Sequence, residues 1–387
     1  WSTNQANVDN DTFQKDLDAL GYNSGLKADG SVNLKALEYK AMYEDLLDGV
    51  TDPVLQNYVD QNFHGAVLTG SGASTDNGVP QYDAGNGSSL PVLGPEDILV
   101  HNSAELHAAF NSIQDGGTSY VANNGVNYDV RLGPNVGLKS FGQTVTIAAY
   151  DVNDPPVFDH MIVLKVENLD IDGLRFEGSR TGKPTDKIEI NQLYLGGVNN
   201  VSVKNSTFEG DIHSTFTDAN AAQVVADSHG GAIYITNASN VTLDQNDVGH
   251  LMRGITTRNN DNITIKNTKL HHLLEDGIRG GGVDGLVIEN NSFTEWYGLD
   301  HVAFRQQVGS DVLHADYIHL WSAATSQRTQ NVEIRGNTII GDKDNYAAQA
   351  IFVQNTAVAN QGKDFGQWSF ENFIVEDNFM TGPTDWG

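Results

Sequence analysis

Three octets, VTLDQNDV (241–248), ITIKNTKL (263–270) and LVIENNSF (286–293), decide how this chain folds. In each, an apolar residue is followed five positions later by another: Leu243 and Val248, Ile265 and Leu270, Ile288 and Phe293. The pairing recurs in LDIDGLRF (169–176), VSVKNSTF (201–208), VEIRGNTI (332–339) and IVEDNFM (374–380), as Ile171/Phe176, Val203/Phe208, Ile334/Ile339 and Val375/Met380. One fixed offset in seven segments is the mark of stacked structural repeats. The interval from Leu243 to Ile265 is 22 residues and that from Ile265 to Ile288 is 23. That length suits one coil of a parallel β-helix with three short strands, so the predicted class is an all-β solenoid.

Asn205, Asn246, Asn267, Asn290, Asn291, Asn337 and Asn378 fall at the turn between the second and third strands of these coils. Asparagine tolerates left-handed backbone angles, and stacked amides bond to one another, so these residues read as structural. The N-x-S/T triplets they create are by-products of that ladder.

About ten residues before each first anchor another strand begins, headed by Leu193, Ile233, Ile255, Ile278, Ile318 or Ile351. Strand alternation turns the following residue outward, which predicts one row of Tyr194, Tyr234, Thr256, Arg279, His319 and Phe352. A second row holds Thr236, Arg258, Gly281, Trp321 and Gln354, and the preceding turns supply Arg253, Asp276, Asp316 and Gln349. Arg258, Arg279, His319 and Trp321 are therefore expected in one groove, with Glu275, Asp276, His314 and Asp316 at its rim. Insertions at 177–190, 209–230 and 294–315 would wall it, and loops on a rigid scaffold are where function concentrates.

Those residue types favour acidic sugars. The formal charge is −28, from 50 acidic and 22 basic residues. Such a balance argues against nucleic acid and against docking on anionic lipid. An arginine cluster on so acidic a chain offers bidentate hydrogen bonds to a uronate carboxylate, and Tyr234 and Trp321 offer flat surfaces to sugar rings. A histidine that titrates near neutrality can move a proton at working pH, which makes His314 and His319 candidates, with Asp316 as orienter. Glu275, Asp276 and Asp316 are hard oxygen donors that suit calcium, and calcium is the expected ion. The bland alternative pairs the arginines with Glu275, Asp276 and Asp316 in a structural ladder, and seats His271 and His272 in a turn.

The remaining chain frames this core. Residues 1–65 read as a helical segment, 66–97 as a Gly/Ser-rich linker or long loop, and 98–387 as the β-helix. Ser103 is the expected cap of a helix over 104–114, which would cover the N-terminal end of the solenoid and its open edge. The chain stops at Gly387 directly after the seventh repeat, which reads either as a truncated fragment or as an end covered by a C-terminal module or partner subunit. Cysteine is absent, which excludes disulfides and thiolate chemistry, and no apolar run is long enough to span a bilayer.

The segments NSAELHAAFNSIQDGGTSYVA (102–122), TVTIAAYDVNDPPVFD (144–159), VENLDIDGLRFEG (166–178), HADYIHLW (314–321) and AQAIFVQN (348–355) carry a resemblance. They are similar to right-handed parallel β-helix polysaccharide lyases and C5-epimerase-like secreted bacterial proteins. The resemblance implies a right-handed coil, secretion or surface display, and an acidic polysaccharide as substrate. The lyases of this type use a Lys and Arg pair with calcium, and no lysine here matches that role. The epimerases carry Asp and His on the strand face, which HADYIH offers by chemistry and not by an identical motif. The leading expectation is β-elimination on a uronate polymer, with Arg279 and Arg258 (or calcium) neutralising the carboxylate. His319 would take the C5 proton and His314 or a tyrosine would protonate the leaving oxygen, with Arg253, Tyr234, Trp321 and Gln354 binding sugar. Epimerisation, glycoside hydrolysis and a non-catalytic adhesin, tailspike-like or surface-layer role remain the rivals.

Overall fold

The computed structural model describes residues 90–134, 136–178, 191–210, 212, 230–296, 315–322, 327–341, 349–355, 364 and 368–381. The expected helical segment 1–65, most of the linker, and the loops 179–190 and 297–314 lie outside the described residues.

What is described is a right-handed parallel β-helix, built from the five-residue apolar spacing. Each coil runs through three short strands, and every ladder joining one coil to the next is parallel. The first face stacks Asn191–Gly196, Gly231–Thr236, the start of Ile255–Lys266, the start of Ile278–Glu289, Asp316–Trp321 and Gln349–Gln354. The second face stacks Asn199–Lys204, Ser239–Asp244, the ends of those two long strands, Gln330–Arg335 and Glu371–Glu376. The third stacks Arg175–Phe176, Thr207–Glu209, Asp247–Gly249, Lys269–His271, Ser292–Thr294, Thr338–Ile340 and Phe379–Thr381.

The anchors fill the interior. Ile171, Phe176, Val203, Phe208, Leu243, Val248, Ile265, Leu270, Ile288, Phe293, Ile334 and Ile339 are all fully buried. Tyr128, Phe158, Phe176 and Phe208 continue the column as a ring ladder with centroids 4.9, 5.4 and 4.5 Å apart. Stacked rings at that spacing add to the burial of their area. Val375 and Met380, the last pair, are 47 % and 39 % exposed.

The asparagines behave as two devices. Asn205, Asn267 and Asn290 hold φ of 51°, 51° and 55°, the left-handed corner that asparagine adopts at little cost. Asn246, Asn291 and Asn337 turn inward and are buried. Asn291 Nδ2 donates to Asn337 Oδ1 at 3.0 Å, and Asn337 Nδ2 donates to Asn378 Oδ1 at 2.8 Å. Corner carbonyls that would otherwise be buried without donors are satisfied in this way, for example Ile288 by Asn337 at 2.9 Å.

The N-terminal coil carries helix α1 (Ser103–Ser112), two residues shorter at its end than expected and capped by Asn102, not Ser103. Asn102 Oδ1 accepts from Glu105 N at 2.9 Å while Glu105 reaches back to the His101 amide at 2.8 Å, a reciprocal cap that leaves Ser103 free to start the helix. Leu106, Ala109 and Phe110 are its buried residues, and Phe110 meets Phe141 edge to face at 5.7 Å.

Candidate functional site

Register puts the predicted row together. Tyr194 pairs with Tyr234, Tyr234 with Thr256, Thr256 with Arg279, Arg279 with His319, and His319 with Phe352. Adjacent members are therefore one strand spacing apart, about 4.8 Å. Their inward neighbours Leu193, Ile233, Ile255, Ile278 and Ile318 are fully buried, which fixes the row on the outer side. Tyr194 and Tyr234 stack face to face at 5.5 Å. The second row forms in two pieces, Thr236 beside Arg258 and Arg258 beside Gly281, then Trp321 beside Gln354, with the ladder ending at Gly280 and Leu320 between them.

The centre of the row is an ionic cluster. Asp276 Oδ2 lies 3.1 Å from Arg279 Nη1 and 3.3 Å from His319 Nδ1. Asp316 Oδ2 stands 3.8 Å from the same His319 nitrogen, and Asp276 Oδ1 accepts from the Asp316 amide at 3.1 Å. Glu275 is forked by Arg253, through Nε and, at 3.0 Å, Nη2, and also receives Arg279 at 3.3 Å. The Arg279 guanidinium then lies 4.9 Å from the Trp321 ring, and His319 sits between the rings of Trp321 (5.2 Å) and Phe352 (5.1 Å). A cation over an aromatic face is held without spending its hydrogen bonds.

The three carboxylates correct the expectation of a solvent-washed rim: Glu275, Asp276 and Asp316 are each no more than 1 % exposed. The cause is aromatic cover. Trp296 and Tyr317, both fully buried, pack at 4.6 Å, and Trp296 Nε1 donates to the Glu275 carbonyl at 3.0 Å. Gly277 makes the close approach possible, because a Cβ there would stand 2.7 Å from the Tyr317 carbonyl oxygen.

Burial sets the electrostatics. It pushes the Glu275 carboxyl above its ordinary range, against the pull of Arg253. It lowers the Arg279 guanidinium, against the pull of Asp276, and the Tyr234 phenol is near enough to contribute to the same balance. By contrast the second face spends its cations on simple exposed pairs, such as Lys266 with Asp244 at 3.4 Å and Arg335 with Glu289 at 2.9 Å. Pairs of that kind contribute about 1 kcal/mol or less.

Of the expected site residues, Arg253, Glu275, Asp276, Arg279, Asp316, His319 and Trp321 form one connected cluster, and Tyr234 borders it. Arg258 and Gln354 lie in the second row. His314 lies outside the described residues. The calcium set changes composition, since Glu275 is engaged by two guanidinium groups while Asp276, Asp316 and His319 bring ligand atoms within 4.8 Å of one another. Two carboxylates and an imidazole nitrogen fall short of the six to eight oxygens calcium takes.

A second cluster stands where the sequence offers a turn for His271 and His272. His250, His271 and His272 also bring ligand atoms within 4.8 Å, and the signal for it was positional. His250 follows Val248, and His272 follows Leu270, by the same two residues in successive repeats.

The family described as right handed beta helix region matches residues 191–379. No curated protein sequence matches the chain. Among solved structures, a surface adhesin of Streptococcus pneumoniae, PfbA, is 15 % identical over 68 % of this chain and 66 % of its own, with a TM-score of 0.42. An alginate lyase from Paenibacillus sp. str. FPU-7 is 13 % identical over 72 % of this chain and 99 % of its own, at 0.41. A Family 28 exopolygalacturonase of Yersinia enterocolitica is 10 % identical over 75 % and 67 %, at 0.44. The chain spans about two thirds of the adhesin's length.

Proposed function

We propose that this chain is a carbohydrate-active β-helix protein that cleaves a uronate-containing polysaccharide by β-elimination, acting outside the cell or at its surface. The observation that carries the reading is the Asp276 carboxylate placed between Arg279 and His319 on the outer row of the first face. An imidazole whose Nδ1 is held by a carboxylate presents its other nitrogen as a base, and an adjacent guanidinium is where a substrate carboxylate would bind.

In this reading Arg279, with Arg253 and Arg258 along the face, neutralises the C6 carboxylate and so acidifies the C5 proton. His319 takes that proton through Nε2, which the structure holds buried and which a bound sugar must reach. The electron pair left on C5 forms the C4–C5 double bond, the C4–oxygen bond breaks, and the leaving oxygen is protonated by Tyr234 or His314. Trp321 and the stacked Tyr194 and Tyr234 offer faces to neighbouring sugar rings.

The test is to incubate the protein with alginate, pectate, glucuronan and chondroitin and to follow the ultraviolet absorbance of the unsaturated product. A rise on one of them is expected; none on any uronan removes the lyase reading. Exchange of the C5 proton with deuterated solvent, without cleavage, would assign epimerisation instead. A second reading, glycan binding without turnover, is favoured by Arg279 being already engaged by Glu275, Asp276 and Trp321.

A further inference from the structure

At the end of the third face, strand Asp247–Gly249 with His250 directly after it, and the next coil's strand Lys269–His271 with His272 after it, place three imidazoles side by side. His271 is buried, and its Nε2 lies 2.8 Å from Asp247 Oδ1, also buried. That carboxylate can only accept, so it fixes the proton on Nε2 and leaves Nδ1 as the basic nitrogen of His271. His271 Nδ1 in turn lies 2.8 Å from His272 Nδ1. His250 Nδ1 lies 3.0 Å from the Ile212 carbonyl oxygen, which likewise fixes a proton there and makes Nε2 the basic nitrogen. Two carboxylates flank the group, with Glu209 Oε1 3.7 Å from His250 Nε2 and Glu295 Oε2 3.7 Å from His272 Nδ1.

We infer that His250, His271 and His272 form a binding site for a divalent transition-metal ion, zinc by preference, with Glu209 or Glu295 as a further ligand. Neutral imidazole is the ligand that suits this class of ion, and absence of cysteine leaves His and carboxylate as the donors. Ligating histidines characteristically give their second ring nitrogen to a carboxylate or a backbone carbonyl. Asp247 and the Ile212 carbonyl already do that for two of the three rings.

Geometry asks for a small adjustment. Two imidazole nitrogens on one tetrahedral zinc stand about 3.4 Å apart, given a metal–nitrogen bond of about 2.05 Å. The His271–His272 pair at 2.8 Å would open by about half an ångström, trading its shared proton for the ion. His250 and His272 stack at 4.5 Å with planes 11° apart, so no single point lies in both ring planes. A turn of one ring about χ2, a soft torsion, aims both at a common ion. The His272 side chain is 27 % exposed and has room to make it.

The whole chain, stripped with chelator and then titrated with zinc in a calorimeter, should bind one ion near neutral pH. Substituting cobalt should give the visible bands of a four-coordinate nitrogen and oxygen site. His272→Gln combined with His250→Gln should abolish binding, and Asp247→Asn should weaken it about 10- to 100-fold through the His271 tautomer. Unchanged thermal unfolding of the metal-free double variant would show that the loss is not misfolding. His319→Ala separates this cluster from the Asp276, Asp316 and His319 group, and zinc affinity should survive it. The proposal is overturned if the folded double variant still binds zinc as tightly, if His319→Ala is the change that abolishes binding, or if the native chain takes up no zinc.

Discussion

Arg279 and His319 meet on a single oxygen, Asp276 Oδ2, at 3.1 and 3.3 Å. One buried carboxylate therefore positions both the cation and the base assigned to the reaction. Replacing Asp276 with Asn keeps the shape and removes the charge, leaving Arg279 with Glu275 alone among these acids. Breaking a buried pair in this way costs about 3–5 kcal/mol, and the denaturant midpoint should fall accordingly. A loss well under 1 kcal/mol would mean that the cluster is more hydrated than its burial implies.

His319→Ala addresses chemistry instead of stability. Loss of a positioned base lowers turnover about 10²- to 10⁴-fold. Trp321, Tyr234 and Arg253 remain, so affinity for the uronan measured by calorimetry should change little. Equal loss of binding and turnover would point to a recognition role for His319 and favour the glycan-binding reading.

Glu275 gives the fold a pH dependence of defined sign. Burial raises its folded-state value above the ordinary 4.5, so the folded chain keeps a proton that the unfolded chain releases. The associated stability is complete below that ordinary value and is lost as pH rises through the raised one. Glu275→Gln should flatten this fall when urea midpoints are compared from acid to neutral pH. A slope identical to that of the native chain would assign the dependence to another group.

Asn337 tests the internal ladder. It accepts from the Asn291 amide and side chain, each at 3.0 Å, and satisfies the Ile288 carbonyl. Asn337→Ala would strand those buried groups, at about 1–3 kcal/mol for each one left unmet. Hydrogen exchange should show the loss centred on Asn291 and its neighbouring coils.

Much of this was legible in the sequence because a solenoid turns residue number into position. The offset from Ile265 to Leu270 names two buried side chains, and the interval from Ile278 to Ile318 puts Arg279 beside His319. What was not legible came from long-range cover and from side-chain direction. Glu275 and Asp276 precede a strand and read as rim residues, yet Trp296 closes over them from the following coil. His271 looked like a turn residue because nothing near it in sequence hints at Asp247, 24 positions away. The cap sits at Asn102 instead of Ser103 because the extended backbone at Asn102 (φ −159°) aims its side chain at the Glu105 amide, and residue type alone does not separate two good capping residues.

The corner between second and third strands is the same length in every coil from Asn205 onward: 205–206, 245–246, 267–268, 290–291, 336–337 and 377–378. The number of residues from a third strand to the next first strand is not constant: five separate Gly249 from Ile255 and 21 separate Thr294 from Asp316. Length variation, and with it the raw material for changing what the protein recognises, is thus kept out of the asparagine corner and falls at the other two, since the first-to-second corner also grows, from 197–198 to 322–329. A peptide grafted at 295–315 should leave the coil intact, whereas one extra residue at 267–268 would break the asparagine stack for every turn beyond it.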